Sequence, residues 1–141
     1  MLVSALPTST IETVPVKAKP WVDQDELFSI RPDLLNEAYV YVHCHVPPVV
    51  HELFIRIWKT TFLIDQATGT RSALIHAENI TFAPVWTFVP ANQGYSFLLI
   101  FEGLAKSCRI FNLVEDIPQP GGFDVRGIHR NTRDVYHVQV V

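Results

Sequence analysis

The chain has 141 residues, enough for one domain that buries roughly two-thirds of its unfolded surface without metal or disulfide staples. Hydrophobic residues make up 48% and charged residues 18%, and the net charge of −3, with no Lys/Arg cluster to offset it, excludes nucleic acid as a partner. No run reaches the roughly eighteen apolar residues of a membrane helix, and MLVSALPTSTIETVPVK lacks the basic and apolar regions of a secretory leader, so no membrane partner is expected and the cytoplasm is the default location.

Residues 1–22 read as an extended N-terminal arm, because Pro7, Pro15 and Pro20 remove backbone donors and fix φ. Residues 23–141 read as a single β-domain, and its one helical stretch lies between Asp23 and Glu37, with Pro32 suited to a first turn. From Tyr39 the pattern changes. Successive strand side chains point to opposite faces, so Tyr39 to Val46 sorts by parity. Val40, Val42, Cys44 and Val46 form a core-facing set, and Tyr39, Tyr41, His43 and His45 form the other. After Pro47-Pro48, Leu53, Ile55 and Ile57 oppose Glu52, Phe54, Arg56 and Trp58. Joined as a hairpin with aligned core faces, these runs place Val40 opposite Ile57 and Tyr41 beside Arg56.

Further strands are expected at residues 56–64, 73–82, 85–89, 95–101, 111–115, 123–128 and 134–141, with turn residues between them. YSFLLIF at 95–101 is apolar on both parities, as in a central strand covered on both sides. Short strands with frequent turns and no alternating helices indicate an all-β sandwich or barrel. Cys44, Trp58 and Cys108 follow the order and rough spacing of the Cys–Trp–Cys signature and so resemble an immunoglobulin domain. RIWKTTF, LIHAENI and IPQPGGF are similar to strings in small all-β proteins of sandwich type. The resemblance implies an antiparallel, immunoglobulin-like β-sandwich of seven or more strands, and it carries no activity. The chain departs from that family at Lys106, where the corner tyrosine would stand, and in the parity of Trp58, which faces away from Ile55 and Ile57.

Two cysteines in a cytoplasmic chain are expected to be free thiols, Cys44 acting as a small buried hydrophobe. His43 and His45 project from one strand face, and His51 or His76 could complete a metal site with them. The His-x-His pair resembles a cupin metal motif, but Glu52 stands too far along the chain and no glycine precedes the pair at the family's distance. Two partly exposed histidines on a sheet are therefore favoured, and no metal or other cofactor is expected. No serine lies in a Gly-x-Ser-x-Gly turn, no phosphate loop is present, and alternation points both flanking imidazoles away from the Cys44 sulfur. No catalytic residue is assigned. The expectation is a non-enzymatic module that binds a protein partner or itself through Tyr39, Tyr41, His43, His45, Phe54, Arg56 and Trp58. Carbohydrate stacking on Tyr39, Tyr41 or Trp58 is the alternative.

Overall fold

The computed structural model describes residues 39–140. The expected arm at 1–22 and the short helix within 23–37 lie outside the described residues. Nine strands follow one another: β1 (Tyr39–Val46), β2 (Leu53–Ile55), β3 (Thr61–Asp65), β4 (Arg71–Glu78), β5 (Thr87–Val89), β6 (Tyr95–Glu102), β7 (Ile110–Glu115), β8 (Asp124–His129) and β9 (Val135–Gln139). The described residues contain no helix, so the all-β reading holds.

Seven strands form one sheet in the order β8-β7-β3-β4-β6-β1-β9, and β2 pairs with β5 in a second, small sheet. The chain order shows that the large sheet is curled. Its edges, β8 and β9, are consecutive strands joined only by residues 130–134. Laid flat at about 4.8 Å per strand, the edges would stand roughly 29 Å apart. Five residues reach at most about 20 Å. The sheet therefore turns back on itself and is nearly closed like a barrel, bringing Phe111 of β7 edge-on to Tyr136 of β9 at a ring separation of 5.0 Å.

The core follows from the alternation of β1. Val40, Val42, Cys44 and Val46 join Ile55, Ile57, Leu63, Phe97, Leu99, Phe101, Phe111 and Leu113 in one buried cluster. Each such aliphatic or aromatic side chain stabilises the fold by about 1.5–3 kcal/mol on full burial. β6 lies between β4 and β1 and is buried on both faces over most of its length, as its double-sided apolar pattern requires. The opposite face of β1 and β6 is buried too: Tyr41, Leu98, Ile100 and Val135 make a second apolar cluster. Cys44 and Cys108 are free thiols, both buried. Burial drives the Cys44 thiol far above its ordinary range, so it stays protonated and packs as an apolar group.

Two expectations of pairing change, and β4 carries a bulge. β1 does not form a hairpin with β2; it pairs antiparallel with β6 and parallel with β9. The Pro47 to Glu52 connection instead carries the chain out of the large sheet into the small one. The sheet is consequently mixed, because β1 and β9 run the same way. In β4 the register shifts between Leu74 and His76. The extra residue, Ile75, sits 46% exposed, and it moves His76 off the face that Leu74 turns to the core.

Residues 130–134 are tied down by Arg130. Its Nε and Nη2 donate to Asp134 Oδ1 and Oδ2 at 2.6 and 2.9 Å, and its Nη1 donates to the carbonyls of Ala105 and Cys108 at 2.8 and 3.1 Å. The Tyr136 hydroxyl donates to Asp134 Oδ1 at 2.8 Å, and burial first, with the neighbouring carboxylate adding to it, drives the pKa of that hydroxyl well up. One guanidinium thus joins the β8–β9 turn to the β6–β7 loop where the two edges meet.

Candidate functional site

The residues picked out from the sequence fall into two separate places. β2 pairs with β5 in the register Leu53↔Val89, Phe54↔Phe88, Ile55↔Thr87. Ile55, Thr87 and Val89 are buried, so Phe54 and Phe88 turn outward together, their rings 5.2 Å apart. The next outward positions along this ribbon are Arg56, Trp58 and Trp86. The Arg56 guanidinium carbon lies 3.8 Å from the Trp86 ring centre and 5.5 Å from that of Trp58. Both contacts are within cation–π range, each contributing about 0.5–1 kcal/mol where exposed. The Tyr41–Arg56 contact expected from the hairpin is absent, because Tyr41 lies on β1 against β6 and β9.

Local hydrogen bonds fix this aromatic ribbon from behind. Thr81 Oγ1 lies 2.9 Å from the Val85 carbonyl and 2.8 Å from Thr87 Oγ1, so it braces the segment that carries Trp86. Arg56 Nη1 donates to the Pro84 carbonyl at 3.2 Å. The Trp58 amide donates to Oε2 of buried Glu115 at 3.1 Å, and the Phe123 amide donates to Oε1 at 3.4 Å. The β7–β8 loop therefore stands beside the tryptophans, and Arg56, Trp58, Trp86, Ile117, Gln119 and Gly121 line a shallow cleft of about 40 Å³. Trp86 is 43% and Val85 57% exposed, an apolar surface beside a cation.

The β1 half of the predicted surface lies elsewhere. Tyr41 and His43 are buried, 2% and 1% exposed, and Tyr39 and His45 are half-buried. Parallel pairing sets His43 opposite His137 and His45 opposite Gln139. The His43 and His137 rings stack at 4.7 Å with planes 10° apart. His45 and His137 meet differently. Their centroids are 5.5 Å apart, their planes lie within 5°, and His45 Nε2 is 3.3 Å from His137 Nδ1. The centroid distance is close to the N···N distance plus both ring radii, so the two nitrogens point at each other in a common plane. This is a hydrogen bond along the ring edges, extended by His45 Nδ1 to Ser96 Oγ at 2.8 Å.

These imidazoles do not converge on a metal position. His76 bonds Glu78 at 3.2 Å on β4, and β6 separates that pair from β1. His51 is exposed and bonds only locally, to the Glu52 carbonyl at 3.3 Å. Among the described residues no group of three or more His, Cys, Asp or Glu side chains is placed to hold a metal ion.

Burial lowers the pKa of both His45 and His137, and a charge on His137 lowers that of His45 further. A depressed imidazole pKa means that the folded state takes up protons less readily than the unfolded chain. Stability should be full above about pH 6.5, the unfolded value, and decline as pH falls below it. Urea midpoints at pH 7.5 and 5.5 are expected to fall more for the native chain than for His45→Gln/His137→Gln. An equal fall in both would remove the imidazole pair as the cause.

Sequence reasoning missed Trp86, Phe88 and His137. The alternation of VWTFV at 85–89 already places Trp86 and Phe88 on one face. His137 had the matching parity, opposite Tyr136, Val138 and Val140, but nothing local marked β9 as the parallel neighbour of β1. No helix among the described residues is long and apolar enough to cross a membrane. Comparison with protein-family models, with curated proteins and with solved structures returns no match for this chain.

Proposed function

We propose that the protein is a non-enzymatic β-module that binds a protein partner through the outward face of the β2–β5 ribbon: Phe54, Arg56, Trp58, Trp86 and Phe88. The observation that carries this reading is the exposure of Trp86 and Val85 beside an arginine already stacked in place. Trp and Arg are the residue types that dominate binding energy at protein interfaces, and bracing from behind lowers the entropy lost when they are fixed. A second copy of the chain is the simplest partner, since symmetric dimers are the commonest assemblies. The immunoglobulin-like sandwich stays with this reading as a proposal, supported by the Cys44, Trp58 and Cys108 spacing and by parts of one sheet facing each other across a shared core.

The test compares the native chain with Trp86→Ala in sedimentation across concentration and in affinity capture. Loss in the variant of either self-association or a captured protein supports the reading. Carbohydrate stacking on the same tryptophans is the competing outcome. It would appear as a shift of tryptophan fluorescence across a glycan panel, abolished by Trp86→Ala.

A further inference from the structure

We infer that the Arg56 cleft receives a carboxylate, an Asp or Glu side chain of an acidic peptide segment on the partner. The inference rests on the binding surface proposed above and names the chemistry at its centre. Arg56 is half-buried, yet among the described residues it forms no ion pair. Its single hydrogen bond to a described residue runs from Nη1 to the Pro84 carbonyl, so Nε and Nη2 donate to none of them. Those two groups form one side of the planar guanidinium fork, the spacing that a carboxylate meets with two parallel hydrogen bonds.

The surroundings hold that edge ready. Stacking on Trp86 at 3.8 Å covers one face of the guanidinium and fixes its plane, and Trp58 lies 5.5 Å away. The cation is thus partly desolvated before any ligand arrives, which removes part of the cost of pairing it. Neighbouring acids are already engaged. Glu115 is buried under the amides of Trp58 and Phe123, and Asp116 faces Arg71 at 3.6 Å. The β7–β8 loop adds Ile117, Gln119, Pro120 and Gly121 to the lining, so a carboxylate at Arg56 would have both apolar and polar neighbours. In a chain of net charge −3, this guanidinium is a local cationic position without an acidic partner among the described residues, and it complements an acidic segment flanked by an apolar residue for Trp86.

The test is a titration of the full chain, observed through the Arg56 Nε–H resonance and tryptophan fluorescence, with Ac-Asp-Glu-Phe-Asp-NH2 and its neutral isostere Ac-Asn-Gln-Phe-Asn-NH2. The acidic peptide is expected to shift the Arg56 resonance and to bind about tenfold more tightly, an advantage that added salt reduces. Arg56→Lys should lose most of that advantage although it keeps the charge, because it lacks the planar fork. Equal binding of the two peptides, failure of the acidic one at millimolar concentration, or tighter binding of a uronic acid disaccharide would overturn the inference. If Trp86→Ala abolishes partner capture while Arg56→Gln, folded by thermal melt, does not, the surface stands and the carboxylate falls. If neither substitution matters, both fall.

Discussion

Arg130→Ala is expected to lower the free energy of unfolding by about 3 kcal/mol, the low end of what removing one partner of a buried ion pair costs. Arg130 and Asp134 are 18% and 15% exposed at their side chains, so the contact is largely withdrawn from water. Truncation would remove the Arg130 donors from the Asp134 carboxylate and from the Ala105 and Cys108 carbonyls. Among the described residues it would leave the carboxylate only the Tyr136 hydroxyl, and the Ala105 carbonyl only the Cys108 amide. Asp134 also holds a positive φ of 55°, a conformation that costs a non-glycine residue roughly 1–2 kcal/mol. It is kept there by the Asn131 side chain, whose Oδ1 accepts from the amides of Arg133 and Asp134 at 3.0 and 2.7 Å. With Arg130 gone, the turn that brings the two edges of the sheet together loses its anchor to the β6–β7 loop. Urea denaturation should show a lower midpoint with an unchanged slope, and amide exchange should quicken first in β8 and β9. Arg130→Lys should recover only part of the loss, since an ammonium cannot reproduce the bidentate contact. A change below about 1 kcal/mol would mean that the sheet is held closed by its apolar contacts alone.

Trp86→Ala is expected to weaken partner binding by about 2 kcal/mol or more, close to thirtyfold, as for a central interface tryptophan. The expected effect on folding is smaller, because Trp86 is 43% exposed and contributes little to the core. The loss has two sources: the apolar contact area of the indole, and the surface on which the Arg56 guanidinium rests at 3.8 Å. Phe54→Ser should act in the same direction through the Phe54–Phe88 pair, at some additional cost to the small sheet. Tyr39→Ala, on β1 of the large sheet, should leave binding unchanged. An affinity unaffected by Trp86→Ala would move the binding site away from the β2–β5 ribbon.

Much of the fold was legible because strand parity is a local property. Val40, Val42, Cys44 and Val46 had to share one face, and the double-sided run at 95–101 had to be central, whatever their neighbours were. Pairing is not local. β2 lies near β1 in sequence, and only the proline-rich connection after Val46 warned that the two need not form a hairpin. β5, the actual partner, comes 32 residues after Ile55, a separation given by Ile55 and Thr87 in the strand register. The outward set Phe54, Arg56 and Trp58 was therefore sorted correctly, but was attached to the wrong companions. The His43 and His45 side of β1 was sorted correctly too, yet its burial depends on β9, some ninety positions away, and on the curl of the sheet. The bulge at Ile75 was invisible for the same reason: the alternation of RSALIHAE at 71–78 can absorb one extra residue without a signal in composition.

Photocrosslinking from the ribbon reports what the Arg56–Trp58–Trp86 face touches in solution. Val85, 57% exposed and next to Trp86, can carry p-benzoylphenylalanine without disturbing the arginine stack. Ile75, 46% exposed on β4 of the large sheet, serves as the comparison position. An adduct with a second copy or another protein is expected from position 85 and not from position 75, and it should disappear when Trp86→Ala is added. Adducts from position 75 alone, or from position 85 irrespective of Trp86, would contradict the assignment of the Arg56–Trp58–Trp86 face as the binding surface.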